Sequence, residues 1–115
     1  MRPETLTENA EFQELYRRGR SYVGRFLVVY ALERGGARTR VGFTVGKKVG
    51  SAVARNRVRR RLREAYRLLY PGIAEGYDLV IVGRTRARDV RFGALVEELK
   101  SLLRKAGALT EVGKK

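Results

Sequence analysis

The most basic stretch of the chain, residues 46–67, reads GKKVGSAVARNRVRRRLREAYR. Nine of its residues are lysine or arginine, and Glu64 is its single acid. No proline or glycine interrupts residues 51–69. Five apolar residues of this segment recur at the spacing of one helical stripe: Val58, Leu62, Ala65, Tyr66 and Leu69. The stretch therefore predicts an amphipathic helix, opened by Ser51 as its N-cap, whose apolar side packs on a core.

The other side of this helix is basic. At about 100° per residue, Asn56, Arg60, Arg63 and Arg67 fall opposite the apolar stripe. Arg57, Arg59 and Arg61 fall on its flanks. Solvated helix faces usually mix charges, because acid–base pairs support the helix and like charges repel. A face that accumulates one sign of charge favours a polyanionic partner over the alternative of a merely solvated surface.

Composition limits the classes of protein to consider. The chain has 115 residues and a formal net charge of +14, with a pI near 11.0, which fits one domain and favours nucleic acid over an anionic membrane as partner. It has neither cysteine nor histidine, so a disulfide framework and a cysteine zinc site are excluded, and the commonest general base is absent. No apolar run is long enough to span a bilayer, and the N-terminus lacks the apolar region of a signal peptide. We predict a single cytoplasmic RNA-binding domain over residues 1–115, flexible at 1–8 and 107–115.

The remaining segments alternate between helix and strand. The pattern predicts a helix from about Asn9 to Arg18, strands over 21–32 and from about Thr39 to Val45, a buried strand over Tyr77–Val82 and a last helix over 90–106. Residues 34–37 are expected to form a hairpin connection. The fold class is therefore an α/β (α+β) two-layer sandwich, a small mixed sheet with helices in the order α-β-β-(β)-α-β-α. The first helix places Phe12 and Tyr16 one turn apart, as core residues or as part of a binding surface.

The sequence offers no set of groups for chemistry. Its only aspartates are Asp78 and Asp89, and no pair of carboxylates has the spacing of a two-metal nuclease site. Neither an activated nucleophile nor a phosphate-cradling loop is evident. An autonomous nuclease is therefore disfavoured, and a helix-turn-helix DNA-binding protein is disfavoured because a strand, not a helix, precedes the basic helix. We predict no catalytic residue, no metal ligand and no small-molecule substrate.

Residues 47–60 contain a long motif. They match the pattern K-K-x-G-x-A-V-x-R-N-R-x-[KR]-R at every fixed position. In this motif, and over about Asn9 to Arg104, the chain resembles the protein subunit of bacterial ribonuclease P. The resemblance implies an unusual left-handed β-α-β crossover around the basic helix, in a fold similar to the second domain of a ribosomal protein of the small subunit. The residues alone predict the usual right-handed crossover.

The resemblance also implies a function. In that family the RNA subunit is the catalyst and holds the Mg²⁺ ions, while the protein binds no cofactor alone, binds the 5′ leader of precursor tRNA and lowers the Mg²⁺ requirement. Residues implied to contact the ribozyme RNA are Arg55, Asn56, Arg57, Arg59, Arg60, Arg61, Arg63 and Arg67. Residues implied to contact the leader are Phe12, Tyr16, Tyr30, Lys47, Lys48 and Ser51. Composition alone supports a general RNA-binding module equally well, such as a ribosomal protein or an RNA chaperone, and the basic patch at Arg84, Arg86 and Arg88 has no assigned role.

Overall fold

The computed structural model describes residues 3–36 and 38–110. Its helices and strands follow the predicted order, with one short strand added before the first helix. They are β1 (Glu4–Thr5), α1 (Asn9–Arg18), β2 (Arg20–Val23), β3 (Leu27–Glu33), β4 (Arg40–Val45), α2 (Ala52–Leu69), β5 (Tyr77–Gly83) and α3 (Phe92–Lys105).

The strands form one mixed sheet of five in the order β1-β4-β5-β3-β2. The central strand β5 is parallel to β4 and antiparallel to β3, and β3 pairs antiparallel with β2. The sheet and its helices confirm the predicted α/β class. The basic helix α2 connects the parallel neighbours β4 and β5. The left-handed path expected for this crossover stays a prediction.

The helices α2 and α3 cover one face of the sheet. Four residues of the predicted α2 stripe are buried, and Leu69 is half-buried. The neighbouring helix α3 adds four buried leucines to the same cluster: Leu95, Leu99, Leu102 and Leu103. Full burial of such a side chain contributes roughly 1.5–3 kcal/mol. The prediction that the basic helix docks on a core is therefore confirmed.

The helix α1 lies on the opposite face, so the sheet carries helices on both sides. Leu15 of α1 is buried with Val80 of β5 and with Leu6, in a cluster separate from the main core. Alternation along β5 explains both clusters, because Leu79 and Ile81 point to the main core and Val80 points to α1. The continuous apolar run of β5 was read correctly as a strand buried on both faces.

The hairpin expected at residues 34–37 is wrong, and Ala37 lies outside the described residues. β3 and β4 are not neighbours, because β5 lies between them. Gly35 and Gly36 do form a turn with positive φ, but the N–H groups of Arg34 and Gly35 donate to the Gly76 carbonyl before β5. Turn residues specify a local reversal and not which strand comes to lie alongside.

The observed hairpin lies earlier, where residues 21–32 were read as one strand. β2 and β3 pair antiparallel around a turn at residues 24–26. The Glu98 carboxylate of α3 accepts the backbone N–H groups of Arg25, Phe26 and Leu27 at 3.0, 2.7 and 2.9 Å. A side chain distant in sequence therefore completes this turn, and periodicity within residues 21–32 does not reveal it.

Both ends of the described chain are more structured than expected. β1 pairs with the start of β4, and Leu6 is only 5% exposed. Near the other end, Ala108 is buried and Thr110 donates its backbone N–H to Gly72 at 2.7 Å. The rest of the two expected flexible ends, residues 1–2 and 111–115, lies outside the described residues.

Candidate nucleic-acid interface

The basic helix begins at a well-formed N-terminus. The Ser51 hydroxyl accepts the Ala54 N–H at 3.2 Å, which confirms Ser51 as the N-cap. Gly50 before it has a φ of 146°, a conformation that side-chain-bearing residues rarely adopt. Lys47 and Lys48 are exposed on a short 3₁₀ turn between β4 and this cap. The unpaired amides of a helix N-terminus and the two lysines together favour anion binding.

Several arginines of α2 already have partners within the protein. Arg61 donates to the carbonyls of Ala87 and Val90 and so ties α2 to the segment before α3. Arg55 donates to the Gly50 carbonyl at 3.2 Å. These contacts stabilise the fold and leave fewer donors for an external ligand.

Of the other arginines of α2, Arg59 is half-buried, and four are exposed: Arg57, Arg60, Arg63 and Arg67. Arg59 donates to the Asn56 side chain at 2.6 Å, and Arg67 lies 3.7 Å from Glu64. Such exposed pairs are weak, about 0–1 kcal/mol. Arg57 and Arg60 are exposed and have no hydrogen bond or ion pair within residues 3–36 and 38–110. The structure therefore distinguishes anchored arginines from arginines whose full donor set faces solvent.

The basic patch after β5 packs beside the start of α2. Arg88 donates to the Val49 carbonyl at 2.9 Å. Arg84 donates to the Gly24 carbonyl at 2.6 Å, next to the turn held by Glu98. Arg84, Arg86 and Arg88 are all exposed, so this patch presents three charges to solvent although two of them also bind backbone carbonyls.

The opposite face of the sheet carries a partly covered aromatic surface beside α1, called the cleft below. The Phe12 ring rests on the backbone of Gly42, where a Cβ atom would come within 2.5 Å of Phe12 Cζ. Because Gly42 has no side chain, the strand leaves room there, and Phe12 fills that room. Tyr16 contacts Tyr30 edge to face, with ring centroids 4.9 Å apart. Burial, and then the neighbouring Tyr30, raise the pKa of Tyr16 above its ordinary value of 10.0.

The three predicted aromatics are therefore brought together by the fold. Tyr16 is 37% exposed, and Phe12 and Tyr30 are half-buried, so each contributes both to packing and to the cleft surface. Phe12 and Tyr16 were predicted to be either core residues or part of a binding surface, and their partial burial is compatible with both roles. Lys47, Lys48 and Ser51 follow β4, whose Gly42 and Thr44 belong to the cleft side of the sheet.

The cleft has a floor that the sequence reading did not identify. Beyond α1, the same side of the sheet presents Val28, Val82 and Thr44, all half-buried, and Val23, which is 63% exposed. The signal was present, because these residues alternate with buried neighbours along their strands. This alternation does not predict a binding surface unless it is known that α1 covers only part of this face.

A charged network holds α1 on the sheet. The Arg40 guanidinium donates to both carboxylate oxygens of Asp78, at 3.1 and 2.9 Å, and to Glu11 of α1 at 2.7 Å. Asp78 is only 4% exposed and also receives Arg34 at 3.3 Å. The backbone N–H of Glu8 and, less strongly, Arg40 lower the pKa of Glu11. Because Glu11 adjoins Phe12, this network fixes the position of the aromatic wall.

The described part of the chain contains no group of three or more His, Cys, Asp or Glu residues that could hold a metal ion. Within the same residues, no helix is both long and apolar enough to cross a membrane. What the site offers is a basic helix face and an aromatic cleft.

Comparison with known proteins identifies the family of the chain. The sequence profile of the Ribonuclease P family matches residues 1–107. The chain belongs to the ribonuclease P protein family. It is 44% identical over 109 residues to the ribonuclease P protein component of Symbiobacterium thermophilum, covering 94% of this chain and 95% of that one. It is 43% identical over 105 residues to the component of Natranaerobius thermophilus, covering 91% of each chain.

Solved structures of the family share the fold. The RNase P protein of Staphylococcus aureus aligns with a TM-score of 0.82 and 29% identity, over 95% of this chain and 100% of that one. The RNase P protein of Thermotoga maritima aligns with a TM-score of 0.79 and 29% identity, over 89% and 96%. The family that the motif at residues 47–60 implied is therefore confirmed, and so is the predicted mixed α/β fold class.

Proposed function

We propose that the chain is the protein component of a ribonuclease P holoenzyme and binds its RNA subunit through the exposed side of α2. The observation that carries this proposal is the one-sided face on which Arg57 and Arg60 present all their donors to solvent. A guanidinium binds phosphate with two parallel hydrogen bonds. The same face is extended by Asn56, Arg59, Arg63 and Arg67. At the border of the face, Arg55 and Arg61 hold the helix in place.

The cleft on the other face is the proposed site for the 5′ leader of precursor tRNA. Unpaired bases stack on aromatic rings irrespective of sequence, at roughly 1–3 kcal/mol per base. Tyr16, Tyr30 and Phe12 supply such rings, and the valines of the floor supply apolar area beneath them. Lys47, Lys48 and the amides behind Ser51 supply positive charge for the leader backbone.

Catalysis and Mg²⁺ are assigned to the RNA subunit. Each basic side chain that neutralises a phosphate releases counterions, with a salt slope of about −0.7 to −0.9 per contact. Several such contacts replace part of the ion atmosphere that the RNA otherwise needs, so the protein is expected to lower the Mg²⁺ requirement. In this proposal the chain itself needs no cofactor and acts in the cytoplasm.

The test is cleavage of a leader-bearing precursor tRNA by a bacterial ribonuclease P RNA at low Mg²⁺, with and without the protein, and with the protein alone. We expect cleavage only when both components are present. If the protein adds nothing to the RNA, the function reduces to that of a general RNA-binding module. If the protein cleaves alone after RNA contamination is excluded, the assignment of catalysis to the RNA is wrong.

A further inference from the structure

A row of three aromatic rings lies on the α2 side of the sheet, away from the leader cleft. Phe43 of β4 packs edge to face on Tyr66 of α2, with centroids 5.8 Å apart. Tyr66 in turn contacts Tyr70, with centroids 6.1 Å apart. Tyr66 is fully buried, whereas Phe43 and Tyr70 at the two ends are half-buried. The row therefore presents an aromatic surface at each end.

Phe43 is accessible because of the shape of the sheet edge. β1 pairs only with Arg40 and Val41, so it stops before Phe43. Phe43 faces the main core by alternation but lies where neither β1 nor the helices cover it fully. Phe43 therefore packs on Tyr66 and remains partly exposed at the sheet edge.

Each end of the row also has an arginine. The guanidinium carbon of Arg63 lies 5.7 Å from the centroid of the Phe43 ring. Arg63 is exposed and makes no ion pair within the described part of the chain. At the other end, a hydrogen bond to Tyr70 raises the pKa of the exposed Arg38. An arginine over a ring keeps one planar face against the aromatic and leaves the other face open.

We propose that Arg63 and Phe43 form a stacking platform for one unpaired base of RNA, beside the phosphate-binding face of α2. The proposal rests on the proposed function and adds a base contact to it. Arg57 and Arg60, which lack an aromatic neighbour among the described contacts, bind phosphate only as charges and donors. Arg63 combines charge with a planar surface that Phe43 fixes in place, and guanidinium planes and aromatic rings both stack on unpaired bases.

A double-mutant cycle tests the platform. The affinity of the protein for ribonuclease P RNA is measured for wild type, Phe43→Leu, Arg63→Lys and the double variant over a series of salt concentrations. Phe43→Leu keeps an apolar side chain at the sheet edge, and Arg63→Lys keeps the charge. If the base belongs to this RNA, each single change is expected to weaken binding roughly five- to 150-fold, the range for one stacked base, with an unchanged salt slope. The double variant should be no weaker than the weaker single variant, because both changes remove the same contact.

Arg60→Lys combined with Phe43→Leu is the matched control, and its effects should multiply independently. Phe43→Tyr retains a ring and should retain affinity. Thermal unfolding of each free variant shows whether it is folded before its affinity is compared. The proposal would be overturned if Phe43→Leu stayed within about twofold of wild type in both affinities, that of the protein for the RNA and that of the holoenzyme for precursor tRNA. Independent effects of Phe43 and Arg63 on the affinity that changes would also overturn it.

The source of the base is distinguished by a second arm with the assembled holoenzyme. If the base belongs to the ribonuclease P RNA, assembly weakens and the affinity of the saturated holoenzyme for precursor tRNA is unchanged. If the base belongs to the substrate, assembly is unchanged and the affinity of the saturated holoenzyme for precursor tRNA falls. Failure of wild-type protein to bind the RNA would refute the proposed function itself. If wild type and both single variants bind the RNA normally, and their holoenzymes bind precursor tRNA with the same affinity, the platform alone is refuted.

Discussion

The two faces of the sheet differ in how completely helices cover them. On one face α2 has 18 residues, about 27 Å, and with α3 it seals the main core. On the other face α1 has 10 residues, about 15 Å, and leaves part of the sheet uncovered. The long helix presents a charged surface to solvent, and the short helix leaves a partly exposed apolar one.

This difference supports the two kinds of recognition that we propose. On the α2 side, exposed arginines such as Arg57 and Arg60 suit phosphate binding, whose affinity depends strongly on salt concentration. On the α1 side, Tyr16, Tyr30 and the valine floor suit the stacking of unpaired bases, whose affinity depends on the ring surface available. The two faces use different side chains of the same sheet. Variants on one side should therefore affect only one of the two proposed RNA ligands.

The largest expected effect is on the basic face. Arg57→Ala with Arg60→Ala should weaken assembly with ribonuclease P RNA about 100-fold, at about 1.5 kcal/mol for each charge-assisted contact. The salt slope should fall by about 1.4 to 1.8 for two lost phosphate contacts. The preference of the saturated holoenzyme for leader-bearing over mature tRNA should be unchanged. Assembly as tight as wild type, with the same slope, would remove these two arginines from the interface.

The next effect concerns the support of the cleft. Gly42→Ala places a Cβ atom against the Phe12 ring and should cost about 1–3 kcal/mol of stability, as overpacking does. It should also lower leader discrimination, because Phe12 and α1 must shift. Phe12→Leu in the same chain removes the far end of the ring and should recover stability without recovering discrimination. Thermal unfolding and tRNA binding measure the two separately, and a fully stable Gly42→Ala variant would contradict the close approach of Phe12.

A smaller effect is expected at the cleft wall itself. Tyr16→Ala should reduce the affinity for leader-bearing tRNA about tenfold, within the range for one stacked base, and leave mature tRNA unaffected. Tyr16→Phe is the matched control, since it keeps the ring and should bind nearly as wild type. Equal losses for both tRNAs would show that Tyr16 acts in packing and not in leader contact.

Sequence patterns predicted the parts of this molecule that are set by local periodicity. The stripe from Val58 to Leu69 and the run of β5 each specify their own burial, because the residues that pack are neighbours on one face. Pairing of distant segments could not be read in this way. The position of β5 between β3 and β4, and the turn completed by Glu98, depend on contacts that no window of sequence contains.

The same distinction holds for the candidate site. Motif spacing identified the arginines of α2 but could not distinguish Arg61, which is tied to carbonyls near α3, from the exposed Arg60. Phe12 and Tyr16 were identified by helical spacing and family resemblance, and the floor residue Val23 was missed. Whether a strand residue is covered depends on the length and path of α1, which strand alternation does not determine.

The smallest expected effect links the cleft to pH through Glu11. Its pKa is lowered in the folded protein from an ordinary value of 4.5, so its ionised form favours folding. This contribution is complete above about pH 4.5 and is lost as the pH falls through the lower folded-state pKa. Glu11→Gln should therefore lower Tm by only a few degrees at pH 7, and the difference from wild type should shrink below pH 4.

Glu14→Gln removes a carboxylate that pairs with Arg18 within α1 and serves as the control. Glu11→Gln should weaken leader discrimination slightly, because Arg40 then loses its hold on α1 next to Phe12, while Glu14→Gln should leave it unchanged. Thermal unfolding from pH 3 to 7 and tRNA binding at pH 7 measure the two effects. If the Tm difference grew on acidification, Glu11 would be stabilising the fold in its protonated form, and the ionic link between α1 and the sheet could not be what sets the cleft wall.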